Sequence, residues 1–114
     1  MALYRSHPDA WVLPWAILPE VDYLALVHLG PRVERAWLGD LAAGRFTVEW
    51  GQPADLERAH QICRRHRALS LGLVDGVVMA VAERLEADAI ATLDLRHFAA
   101  VRLRQEISLL PGDA

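Results

Sequence analysis

Three carboxylates stand out by their place among the apolar residues. Glu20 interrupts the row Ile17, Glu20, Leu24, Val27, which follows the 3-4-3 spacing of one helix face. Asp75 heads a second such row with Val78, Ala82 and Leu85, and Asp94 directly follows the short, mostly apolar run Ala89 to Leu93. Taken singly, each acid reads as a partly exposed helix or loop residue; it is their coincidence that predicts a site. Carboxylates gathered within a few ångströms repel, raise one another's pKa and cost stability unless a cation lies between them. Oxygen-only ligands select a hard ion, so the pattern predicts Mg²⁺ at Glu20, Asp75 and Asp94, with Mn²⁺ as a substitute. Asp22 lies about 200° of helix rotation from Glu20 and is peripheral to that site.

The elements that must position these acids follow from periodicity. Leu73 to Phe98 reads as a helix, a tight turn and a strand, because Val74, Val77, Val78, Val81, Ala82 and Leu85 recur at helical spacing and Ala89 to Leu93 is too brief for a helix. A helix that returns to feed a parallel strand runs antiparallel to it. Asp75, in the first helical turn, and Asp94, just past the strand, therefore both fall at the carboxyl edge of the sheet, where open α/β sheets bind ligands. Glu20 reaches that edge because its helix, Trp15 to Leu29, follows a short strand, Trp11 to Leu13, with Pro19 tolerated in the first turns. Ala2 to Ser6 reads as the end of a helix stopped at His7-Pro8-Asp9. Further along come a helix from about Arg32 to Ala43, a strand over Phe46 to Trp50, a helix from Pro53 to Arg67 and a final strand over Ile107 to Leu110. Alternating strands and helices predict a three-layer α/β/α sandwich with a parallel sheet, in a single domain spanning residues 1–114.

The runs LPEVDYL, LGLVDGVVMAVAERL and IATLDLRHF, in this order and spacing, resemble PIN domains, specifically the VapC-type toxins of bacterial toxin–antitoxin pairs. The resemblance covers nearly the whole chain. It implies a PIN-like fold and a metal-dependent endoribonuclease in which Glu20, Asp75 and Asp94 match the second, third and fourth members of the family's acidic quartet. They would hold Mg²⁺ or Mn²⁺, the ion would lower the pKa of the water that attacks an RNA phosphodiester, and the products would be a 3′-hydroxyl and a 5′-phosphate. An RNA substrate, a cognate antitoxin protein and a homodimer are the implied partners. The family's pattern opens on a strand ending in Asp, whereas this chain begins inside the helix after it, so most of the first βα unit, and the first acid with it, is not represented. That strand would lie between Trp11 to Leu13 and Ala89 to Leu93, leaving a gap for another chain, a rearranged pairing or a further N-terminal segment to fill. Without the first acid the expectation is a poor ribonuclease. The alternative is a catalytically inactive PIN-like remnant that binds the antitoxin or dimerises.

Composition bounds the remaining classes. With 114 residues, 54% hydrophobic and 24% charged, the chain suits one globular domain with a generous core. A formal charge of -3 exerts no global pull on nucleic acid, which then needs local arginine clusters or bound cations. The single Cys63 forms no internal disulfide, no apolar run approaches the length of a membrane span, and the start lacks a signal-peptide core, so the expectation is a soluble, cytoplasmic protein. The helix from Leu18 to Leu29 is apolar on nearly every side, which predicts that part of it faces a partner subunit.

Competing constellations carry less. His60, Cys63 and His66 share one helix face and could hold Zn²⁺ or Ni²⁺ in principle, but three ligands on one straight helix rarely reach a single tetrahedral ion. No Walker or Rossmann loop precedes a helix, and neither Ser70 nor Ser108 sits in a nucleophile elbow. The basic run Arg64, Arg65, His66, Arg67 complements the negative end of its helix dipole. Arg96 and His97 share the rim with Asp94 and are candidates for a phosphate contact or a solvated pair. Trp11, Trp15, Trp37 and Trp50 are expected in the core or at a dimer contact, and Glu34, Asp40, Glu49, Asp55, Glu57, Glu83, Glu86 and Asp88 on solvated faces.

Overall fold

The structure, a computed structural model, describes residues 2–4, 11–91, 101, 103, 104 and 107–110. In chain order these form β1 (Ala2–Tyr4), β2 (Trp11–Pro14), a 3-10 turn (Trp15–Ile17), α1 (Leu18–Leu29), α2 (Pro31–Ala42), β3 (Val48–Glu49), α3 (Pro53–Arg65), a second 3-10 turn (Arg67–Leu69), α4 (Leu73–Arg84), β4 (Ala89–Ala91) and β5 (Ser108–Leu110). The helices and strands expected from periodicity are present with boundaries shifted by a few residues. The His7-Pro8-Asp9 stop and the continuation of the β4 run to Leu93 lie outside the described residues.

The exception is the N-terminal stretch. Ala2 to Tyr4, expected as the end of a helix, is a strand, and it is the middle one of five in the order β3-β2-β1-β4-β5. It pairs antiparallel with β2 (Leu3 opposite Val12) and with β4 (Leu3 opposite Ile90). Three residues are too few for a stable helical turn, whose nucleus costs more than it returns, whereas a slot between two strands satisfies the backbone groups on both sides. Leu3 is fully buried there. The gap between β2 and β4 is thus filled by a rearranged pairing. The sheet is mixed as a result: β2–β3 and β4–β5 are parallel as expected, while β1 runs against both its neighbours. Because β1 opposes both β2 and β4, those two are parallel to each other, and β2, β3, β4 and β5 share one carboxyl edge.

The core is built on α4. Every residue from Gly76 to Glu83 is buried, so this helix is covered all round, in keeping with an apolar sequence broken only by Asp75 and its last residues. It packs against α3, β2 and the first 3-10 turn, and its side chains Val77, Val78, Met79 and Val81 join Leu3, Val12, Ile17, Ile62 and Ile90 in one cluster. Close approach of α3 and α4 depends on Gly76: a Cβ there would lie 2.9 Å from Cys63 Sγ and 3.2 Å from both the Cβ and carbonyl oxygen of Ala59.

Helices α1 and α2 form a hairpin that contributes no buried residue. A single residue joins them. Gly30 adopts φ 93°, and Pro31 opens α2 at the position where a missing amide is harmless. On α1, Tyr23, Leu24, Leu26, Val27 and Leu29 are all exposed. Of the tryptophans expected in the core or at a dimer contact, not all reach the core. Trp15 packs against it, but Trp50 is 74% exposed and Trp11 46%.

Candidate active site and its supporting ion pairs

Glu20 lies in the first turn of α1, three residues beyond the 3-10 turn that packs on α4. Its side chain is exposed, at the helix end where a negative charge is favourable. The apolar row that flanks it in the sequence does not define a buried face, since Leu24 and Val27 are exposed as well. Asp75 occupies the first turn of α4 and is half-buried. Its charge reaches Cys63: burial pushes the Cys63 thiol above its usual range, and the Asp75 carboxylate adds to the shift. Asp94, Arg96 and His97 lie outside the described residues. Among the described residues no group of three or more His, Cys, Asp or Glu side chains is gathered as a metal site. The donor chemistry of Glu20 and Asp75, anionic oxygen at the first turns of two helices, fits a hard divalent ion.

Cys63, weighed above as a metal ligand, instead donates from Sγ to the carbonyl oxygen of Gly72 at 3.7 Å and packs on Gly76. His66 caps its own helix, with Nδ1 3.1 Å from the carbonyl oxygen of Ile62.

The acids assigned to solvated faces include the best-organised polar cluster among the described residues. Asp55 and Glu83 are buried, at 4% and 7% exposure, and Glu49 is half-buried. Arg84 Nε donates to Asp55 Oδ1 at 2.8 Å, and its Nη2 donates to Glu49 Oε1 at 2.6 Å and to Asp55 Oδ2 at 3.1 Å. Arg58 grips Glu83 through two bonds, Nε to Oε1 at 2.6 Å and Nη2 to Oε2 at 3.0 Å, and the Arg104 amide adds a third at 2.7 Å. Burial alone would raise the Glu83 pKa. The Arg58 and Arg104 hydrogen bonds and charges outweigh it and hold the carboxyl below its usual range. The same partners raise Arg58 and Arg84, first through hydrogen bonds to Glu83 and Asp55, against the opposing effect of burial.

These two crossed pairs lock α3 to α4 and extend to the β3–α3 loop. The Gln52 amide donates to Asp55 Oδ2 at 2.8 Å and the Gly51 amide to Glu49 Oε1 at 3.1 Å. Gly51 has φ 86°, and a Cβ there would lie 2.6 Å from the indole nitrogen of Trp15, so the loop closes directly on the residue that opens the first 3-10 turn. A sequence signal existed: Asp55 is the third residue of a helix opened by Pro53, where an acid caps the free amides. Glu34 also departs from a simple solvated acid. The neighbouring Asp22 carboxyl on α1 raises its pKa, with Arg35 opposing.

What these observations define is an α/β domain whose acids Glu20 and Asp75 open the helices that follow β2 and precede β4. No protein-family model matches the chain. It is 33% identical over 97 residues to "Ribonuclease VapC26" of Mycobacterium tuberculosis, an alignment covering 85% of this chain and 72% of the relative. The chain belongs to the VapC family of PIN-domain toxins.

Proposed function

We propose that the chain is a metal-dependent endoribonuclease toxin that hydrolyses RNA phosphodiesters and is paired with a cognate antitoxin protein. The observation that carries this reading is the relationship to a VapC ribonuclease combined with Glu20 and Asp75 standing at the first turns of α1 and α4. Glu20, Asp75 and Asp94 would hold Mg²⁺, or Mn²⁺ in its place, and the bound ion supplies Lewis acidity and an activated water. Carboxylate oxygens of these residues would orient the attacking water and take up its proton as it bonds to phosphorus and the P–O3′ bond breaks, and solvent would protonate the departing O3′, giving a 3′-hydroxyl and a 5′-phosphate. No helix among the described residues is long and apolar enough to cross a membrane. The relationship to a VapC ribonuclease is what supports a cytoplasmic setting in this reading. The exposed apolar surface of α1 supports a homodimer or an antitoxin contact.

One observation favours a second reading, a catalytically inactive module that binds its antitoxin or dimerises. The strand between β2 and β4 is Ala2-Leu3-Tyr4 and brings no carboxylate to the site. Cleavage of a structured RNA decides between them. The ribonuclease reading expects cleavage in Mg²⁺ that stops on chelation and falls by about 100-fold or more in Asp75→Asn and Asp94→Ala. Calorimetric titration with Mg²⁺ should give heats that Asp75→Asn diminishes. Equal heats in both proteins, or cleavage that survives the chelator, would remove the metal from the mechanism.

A further inference from the structure

All 12 basic residues of this chain are arginines, and Arg64, Arg65 and Arg67 fall within four consecutive positions. Their surroundings set them apart from Arg58 and Arg84, whose charges are consumed by Glu83, Asp55 and Glu49. Arg64, Arg65 and Arg67 are exposed, and among the described residues none lies within ion-pair distance of a carboxylate. A chain of net charge -3 therefore carries a concentrated positive corner.

That corner lies beside a proposed site acid. Helix α3 ends at Arg65 against the start of α4, as the bond from Cys63 Sγ to the Gly72 carbonyl and the tight fit of Gly76 on Cys63 require. Gly72 and Gly76 flank Asp75 in the chain, so these contacts bring the end of α3 to the first turn of α4. Arg64 is the next residue after Cys63, and Arg67 stands one turn further on. Favourable contact with the helix dipole explains Arg64 and Arg65, which lie in the last turn of α3. It does not account for Arg67, which lies beyond the helix in the second 3-10 turn.

We propose that Arg64, Arg65 and Arg67 form a phosphate-binding strip that seats the backbone of a single RNA strand beside Asp75. The proposal rests on the ribonuclease reading and adds a positioning surface to it. An acidic site repels a polyanion, and guanidinium forks at its margin offset that repulsion while gripping phosphate oxygens in pairs. Because the contacts are to phosphate, the strip fixes register without reading sequence.

The test is binding of a fluorescently labelled single-stranded oligoribonucleotide, followed by anisotropy in chelator so that no cleavage intervenes, across a series of salt concentrations. Each phosphate contact to a single strand contributes about 0.7 to the slope of log K against log salt, so R64Q/R65Q/R67Q should lower that slope by about 2. The triple lysine variant should keep the slope, since a point charge still binds phosphate, and R32Q/R35Q on α2 should leave it unchanged. Should the triple glutamine variant fail to fold, Arg67→Gln, outside the helix, should still lower the slope by about 0.7. An unchanged slope in folded variants overturns the strip, and cleavage in Mg²⁺ by the unsubstituted chain would then leave the ribonuclease reading standing. Absence of RNA binding by the unsubstituted chain overturns the strip, and absence of cleavage in Mg²⁺ as well overturns both.

Discussion

Arg84→Met should be among the most damaging single changes in this protein that leave the proposed site acids untouched. The substitution keeps an unbranched side chain of similar length but removes three hydrogen bonds to two acids, one of them Asp55 with 5% of its side chain exposed. Breaking a buried pair from one side commonly costs about 3 to 5 kcal/mol, because the remaining charge is stranded in a poor solvent. Arg84 itself is a quarter exposed, and Asp55 keeps the Gln52 amide as a partner, so solvent screening and that bond reduce the expected loss to about 2 to 3 kcal/mol. For a domain of this size that corresponds to a fall in Tm of roughly 10 °C. Urea unfolding followed by circular dichroism, at fixed protein concentration, measures it. The cause is isolated by adding Asp55→Asn, which removes the stranded charge while leaving an oxygen to accept from the Gln52 amide. The double variant should be more stable than Arg84→Met alone by at least about 1 kcal/mol. If Arg84→Met costs less than about 1 kcal/mol, or if Asp55→Asn adds to the damage instead of relieving it, then the pair is not the lock between α3 and α4.

Other expectations follow from the same structure. Glu83 is held below its usual carboxyl range in the folded state, so its contribution is complete at neutral pH and is lost as pH falls through the unfolded and then the folded value. The urea midpoint should drop toward about pH 3, and Glu83→Gln should flatten that dependence. Gly76→Ala should destabilise by about 1 to 2 kcal/mol despite alanine's better helix propensity, because its methyl group meets Cys63 and Ala59. Adding Cys63→Ala, measured by the same unfolding curves, should recover part of the loss. Light scattering at micromolar concentration should give a dimer mass that Leu26→Glu on α1 reduces to that of a monomer, and identical masses for both proteins would count against a dimer through this helix.

Much of the fold was legible in local pattern. The spacing of Val74, Val77, Val78, Val81 and Ala82 marks α4 because a helix presents one residue in every three or four to each neighbour, and Gly30-Pro31 marks the hairpin because one residue reverses the chain and the other reopens it. The place of Asp75 in the first turn of an apolar helix was legible for the same reason, and that helix is buried from Gly76 to Glu83. The Glu20 row was a weaker guide, because a 3-4-3 row says which residues share a face and leaves open whether anything covers it.

What only the tertiary structure decided is every assignment whose partner lies far along the chain. Ala2-Leu3-Tyr4 has no period long enough to read, and it is a strand because β2 and β4 offer backbone partners on both sides. Glu49, Asp55 and Glu83 look like surface acids in isolation, since a lone buried charge is prohibitively costly. Their arginines stand 35, 29 and 25 positions away, and the antiparallel packing of α3 on α4 is what delivers them. Trp50 is the converse case, a residue type that local pattern assigns to the interior and that a clamped loop turns toward solvent. Periodicity carries the helices and the order of the acids along them, whereas burial of charge and exposure of aromatic surface depend on neighbours that only folding brings together.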